Sequence, residues 1–153
     1  MKKILIIFLI SFSVFTLSAA SYDTADGFGL GFSAGYPVTG GIFRYGIGDF
    51  RILGTLGYRF NDSFTIKAGV QYDIARFYVE NLPFYVNIGV TGAASFSPVA
   101  EGFTLNIPVG ISYFLMDAPV ELFFKLIPSF KILSASTEPG FGAAFGFLYY
   151  LHR

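Results

Sequence analysis

From Phe50 to Ala75 the chain alternates, residue by residue, between two kinds of side chain in two runs joined by Asn61-Asp62. In the first run Ile52, Gly54, Leu56, Tyr58 and Phe60 interleave with Arg51, Leu53, Thr55, Gly57 and Arg59. In the second, Phe64, Ile66, Ala68, Val70, Tyr72 and Ile74 interleave with Thr65, Lys67, Gly69, Gln71, Asp73 and Ala75. A period of two belongs to a pleated strand, whose successive side chains point to opposite faces; a helix would need a period of 3.6. Asn and Asp tolerate tight backbone and bond to it locally, so Asn61-Asp62 reads as a turn. The stretch is expected to form a long antiparallel hairpin, and its oily face needs a cover. Lipid is the cover expected here.

The first twenty residues stand outside the fold. Lys2 and Lys3 precede an apolar run from Ile4 to Leu17, and Ser18-Ala19-Ala20 supplies small residues at a cleavage point. This is the layout of an export signal peptide, and the apolar run is shorter than the ~20 residues of a membrane-spanning helix. The expected organisation is a signal peptide over 1–20 and one barrel domain over 21–153. Setting Lys2 and Lys3 aside leaves eight basic against ten acidic residues, a net charge of −2, with no basic patch to draw nucleic acid. The absence of cysteine excludes a disulfide framework and a thiolate metal site.

The alternation recurs along the whole mature chain. Further strands are expected over Gly27–Tyr36, Gly41–Gly48, Phe84–Phe96, Phe103–Leu115, Val120–Ile132 and Gly140–Leu151, which with the hairpin make eight. Pro37–Gly40 reads as a turn, and Arg76–Pro83 as a longer connection. Pro108 and Pro128 fall inside two of these strands, where each lacks a ladder donor, so bulges or strand ends are expected nearby. The alternating glycines of Gly27–Tyr36 lack the strand-to-helix setting of a nucleotide-binding loop and read as crowded inward positions.

More than half of the residues are apolar (54%), a fifth are aromatic, and only 13% are charged. A soluble barrel would need an outer face rich in charge. Here the less oily face is built mostly from Gly, Ala, Ser and Thr, which suits a narrow lumen, while Phe, Ile, Leu, Val and Tyr suit lipid. Tyr36, Tyr45, Tyr58, Tyr72, Phe77, Tyr78, Phe84, Tyr113 and Tyr149 fall near strand ends, as interfacial aromatic girdles require. The expected fold is thus an all-β, eight-stranded, antiparallel up-and-down transmembrane barrel with short connections.

In export signal, strand number and alternation the mature chain resembles the small eight-stranded outer-membrane β-barrels, the group that includes the OmpA membrane domain and OmpX. Phe145, Phe147 and Tyr149 in the last strand are similar to the C-terminal signal by which such barrels are recognised for assembly. The chain departs from that pattern by ending Leu151-His152-Arg153 and by its short connections. The resemblance implies a monomer in the cell outer membrane, with outer-membrane lipids and the outer-membrane assembly machinery as partners.

The charged members of the inward set are Arg44, Arg51, Arg59, Lys67, Asp73, Glu121, Lys125 and Lys131. Both signs are present, as a dry lumen requires. Arg59, Lys67, Asp73, Glu121 and Lys125 are expected to form a structural ionic network in a side-chain-filled lumen. No catalytic, cofactor or metal residues are expected: the only histidine is His152 near the C-terminus, and an activated serine would need a histidine base. The expected role is structural, in membrane integrity or surface interaction. A soluble periplasmic barrel binding an apolar ligand is the alternative, and a lipid-modifying barrel enzyme stands behind it.

Overall fold

A computed structural model describes residues 26–60, 63–96, 102–115, 117–132 and 136–152. The expected signal peptide, the Asn61-Asp62 turn and the loop carrying Pro98 and Glu101 lie outside the described residues. Every regular element described is a β-strand. They are β1 (Gly27–Tyr36), β2 (Val38–Ile47), β3 (Phe50–Arg59), β4 (Ser63–Val79), β5 (Leu82–Phe96), β6 (Gly102–Asn106), β7 (Val109–Phe114), β8 (Val120–Ile132) and β9 (Thr137–His152).

All pairings are antiparallel, and they close into a ring. β1 to β5 pair in sequence, β5 pairs with both β6 and β7, both of these pair with β8, then β8 pairs with β9 and β9 with β1. β6 and β7 are two halves of one stave, so nine strands make an eight-staved barrel. A closed barrel leaves no free sheet edge around its circumference.

The stave divides at Ile107-Pro108. Proline lacks the amide that the ladder needs, and the neighbouring groups find other partners: Gly89 N donates to Pro108 O at 2.8 Å, and Ile107 N donates to Pro128 O at 2.9 Å. The expected interruption therefore occurs at Pro108. Pro128 stays within β8, opposite Phe141 of β9.

Three boundaries differ from the sequence reading. β2 begins at Val38, because the Thr39 hydroxyl and the Gly35 backbone exchange hydrogen bonds of 3.0 and 3.1 Å and compress the expected Pro37–Gly40 turn. The expected 76–83 connection is strand on both sides of a tight turn at Glu80-Asn81, whose φ values of 51° and 69° are those of a two-residue hairpin turn. β9 begins at Thr137, three residues earlier than expected, paired with Ile132. Beyond Tyr72, the last residue of β4 paired with β3, the β4–β5 hairpin projects past the barrel rim.

Gly27, the Gly48-Asp49 and Glu80-Asn81 turns and His152 lie at one end of the barrel, the near end. The opposite, far end carries Tyr36–Val38 and the start of β4. Burial is inverted relative to a water-soluble domain. Among the described residues the buried set holds fifteen polar or charged residues against eleven hydrophobic ones. The outer wall is oily: Leu30, Ile52, Leu56, Ile66, Val70 and Leu126 are all exposed. Exposed aromatics gather at both rims, with Phe50, Tyr72, Phe77 and Tyr78 among those at the near end, and Tyr36, Tyr58, Phe60 and Phe141 among those at the far end. At the β1–β9 seam the strands approach closely at Gly31. A Cβ there would overlap the Phe147 carbonyl and stand 2.8 Å from Leu148 Cα, so only glycine fits.

Candidate functional site in the barrel lumen

The lumen is layered. At the near end Glu121, on the second residue of β8, is the hub of a buried cluster. Its Oε1 accepts hydrogen bonds from Arg44 Nη1 of β2 and, at 3.0 Å, from Arg51 Nη1 of β3. Its Oε2 accepts from the Tyr150 hydroxyl of β9 at 2.6 Å. Arg51 extends the cluster through Nη2 to Asp73 Oδ2 of β4. Five strands thus meet in one network. Two guanidinium groups face two carboxylates, so the cluster is neutral, and Arg44, Arg51 and Glu121 are fully buried. Ions taken out of water are tolerated when each finds an opposite charge, although Arg44 Nε and Nη2, Arg51 Nε and Asp73 Oδ1 remain buried without a hydrogen-bond partner among the described residues. Aromatic rings complete the packing: Arg44 lies 5.6 Å from the Phe123 centroid, and Arg51 lies 5.5 Å from that of Phe114. Phe114 in turn packs edge-on to Tyr85 at 5.2 Å.

Towards the middle, Lys125 of β8 donates to Gln71 Oε1 at 2.5 Å. Neutral pairs cross between neighbouring staves there and above: Asn87 Nδ2 donates to Ser112 Oγ at 3.0 Å, Asn106 Nδ2 to Thr91 Oγ1 at 3.2 Å, and the Thr65 and Ser95 hydroxyls are 3.0 Å apart. Between the near-end cluster and the far rim lies a cavity of about 40 Å³, bordered by Lys67, Lys125, Thr55, Thr91 and Ser33. At the far rim Arg59, Lys131 and Glu138 border an open cleft of about 420 Å³.

The five residues expected to share one network divide among these layers. Asp73 and Glu121 belong to the near-end cluster, and Lys125 sits one layer deeper on Gln71. Lys67 borders the central cavity, and Arg59 borders the far cleft. Among the described residues the ion pairs join Arg44, Arg51, Asp73 and Glu121 and do not extend to Arg59 or Lys67. Arg59 closes β3 at the far end while Glu121 opens β8 at the near end, so barrel height separates them. Arg44 and Arg51 are in the inward set but outside the expected network, and Tyr150 stands only on the inward face of the last strand. Distance from the nearest turn is the signal that would have gathered them. Arg51 lies one residue into β3, Glu121 one residue into β8, and Tyr150 two residues from the end of β9, all at the same rim.

The cluster is suited to closing the barrel. It offers fixed, mutually neutralised charge. His152, the single histidine, pairs through its backbone with Phe28 at the near rim.

No protein-family model and no curated protein matches the sequence. Among solved structures, the N-terminal β-barrel domain of Pseudomonas aeruginosa OprF is similar at 17% identity and a TM-score of 0.44, over 80% of this chain and 94% of that one.

Proposed function

We propose that this protein is a small outer-membrane β-barrel with a side-chain-filled lumen, serving membrane integrity or surface interaction and catalysing no reaction. The observation that carries this reading is the inverted burial. Large apolar side chains cover the outside of a closed barrel, while arginine, glutamate, lysine and a run of Ser, Thr and Asn fill the inside. In water such a wall would be a continuous apolar surface far larger than soluble monomers carry. In a bilayer that surface is no liability, because the strands pair into a closed ring and the ions are turned inward. The aromatic residues at both rims fit the headgroup level on either side.

Storage of an apolar ligand, the soluble alternative, needs an oily and roomy interior. A cavity of about 40 Å³ beside two lysines lacks the room. The lumen is therefore read as a plug, and contact with other molecules falls to the rims.

Cell fractionation tests this reading. The protein is expected in the outer-membrane fraction, released only by detergent, and to migrate on a cold denaturing gel ahead of the boiled sample. Recovery from the periplasm without detergent, with no change in migration on boiling, would overturn it.

A further inference from the structure

The charge of the lumen does not balance. Arg44 and Arg51 are matched by Glu121 and Asp73 at the near end, which leaves Lys125 and Lys67 as additional cations one layer deeper. Lys125 is 95% buried, since only 5% of it is exposed, and its partner is a neutral amide oxygen. Lys67 borders the same cavity from β4 and is only partly buried. A buried ammonium either finds a counter-charge or gives up its proton, and no carboxylate borders this cavity among the described residues.

The polar groups that line the cavity, among apolar neighbours such as Ile42, Leu53 and Phe123, are able to donate, and Gln71 adjoins it through Lys125. Gln71, whose Oε1 is taken by Lys125, is 1% exposed and leaves its Nε2 buried with no acceptor among the described residues. Thr91 Oγ1 already accepts from Asn106, so its own proton is free to point inward. Thr55 and Ser33 add hydroxyls from β3 and β1. The cavity, about 40 Å³, exceeds the space one water needs and is too tight for a bulky organic anion.

We infer that the lumen binds a small monatomic anion of the halide class between Lys67 and Lys125, with Gln71 and the threonine hydroxyls donating to it. The anion supplies the negative charge that the chain omits at this level. Lys67 is the partly exposed member of the pair, and the ion would enter on its side. The near-end cluster blocks the other side, so the ion is held and not passed through. The inference concerns the lumen alone and holds whether lipid or water meets the outer wall.

The test is urea unfolding of the full chain in nonionic detergent micelles, with chloride varied against gluconate at constant ionic strength. Gluconate is too large for the cavity. One site that exists only in the folded barrel lowers the unfolding constant tenfold for each tenfold rise in chloride above the dissociation constant. That slope is expected for the wild type and is expected to vanish in Lys67→Met, which removes a cation at a partly exposed position. Equal unfolding constants in the two salts, or a slope unchanged in Lys67→Met, would overturn the inference. Crystals soaked in millimolar bromide supply a readout that needs no variant: an anomalous peak between the two lysines supports the site, and its absence, or a peak only at molar bromide, counts against it. Heat-dependent gel migration, checked in both salts, separates loss of this site from failure of the barrel itself.

Discussion

Replacing Glu121 by glutamine changes the charge of the near-end cluster and almost nothing else. The amide oxygen can still accept from Arg44 and Arg51, and the amide nitrogen can donate to the oxygen of Tyr150, so shape and hydrogen bonding survive. What changes is the balance: two fully buried guanidinium groups are left facing the single carboxylate of Asp73. Breaking a buried ion pair costs about 3–5 kcal/mol, and the hydrogen bonds retained by Glu121→Gln place it near the lower figure, about 3 kcal/mol. That is roughly two decades in the folding constant. Arg44→Met alone leaves the cluster negative and is expected to cost a similar amount. The double variant restores neutrality with Arg51 and Asp73, so it should cost about 3 kcal/mol or less, far below the sum of the singles. The chain has no tryptophan, so the folded fraction is best followed by band migration on unboiled gels across a urea series and extrapolated linearly to water. Additivity of the two substitutions to within about 0.5 kcal/mol would refute a charge-balanced cluster.

Three further outcomes follow from the same geometry. Leu56→Arg, on the outer wall near the middle of β3, should destabilise the barrel in lipid by about 2–4 kcal/mol while Tyr36→Arg at the far rim costs about 1 or less; equal, small costs in the same urea assay would argue for water outside. Gly31→Val should abolish the heat-dependent gel shift, since a side chain there collides with the Phe147 backbone across the β1–β9 seam, and a normally migrating variant would show that the seam is looser than described. Planar-bilayer recordings of the purified protein should show no large stable conductance, given the Arg44–Glu121–Arg51 cluster across the near end; a steady open channel would disprove the plug.

The faces of the strands were legible in the sequence, while their heights were not. In β8, alternation separates Glu121, Phe123, Lys125 and Ile127 from Leu122, Phe124 and Leu126, and burial divides them the same way. Such a division depends only on the pleat, which is local. Which inward residues meet depends on the stagger around the ring, and that is a property of all the pairings together. Arg59 and Asp73 look alike as inward ions of one hairpin, yet they sit near opposite rims. The projecting end of that neighbourhood was hidden for a different reason. Arg76 to Leu82 is exposed on both faces of the hairpin, so no alternation betrays its strands, and the left-handed Glu80 and Asn81 are not the glycines that would signal a tight turn.

The link from Arg44 on β2 to Glu121 on β8 spans the seam where the first and last strands join. A barrel that closed two residues out of register would still turn every oily side chain outward, because the pleat repeats every two residues. The outer wall therefore cannot tell a correct closure from that error. The lumen can: slippage along the seam would carry Glu121, together with Tyr150, away from Arg44 and Arg51 and strand buried charges of both signs. The ion cluster thus acts as a checksum on chain closure, read once when β1 meets β9 and carried afterwards as the difference between one barrel and its near-identical misregistered neighbours.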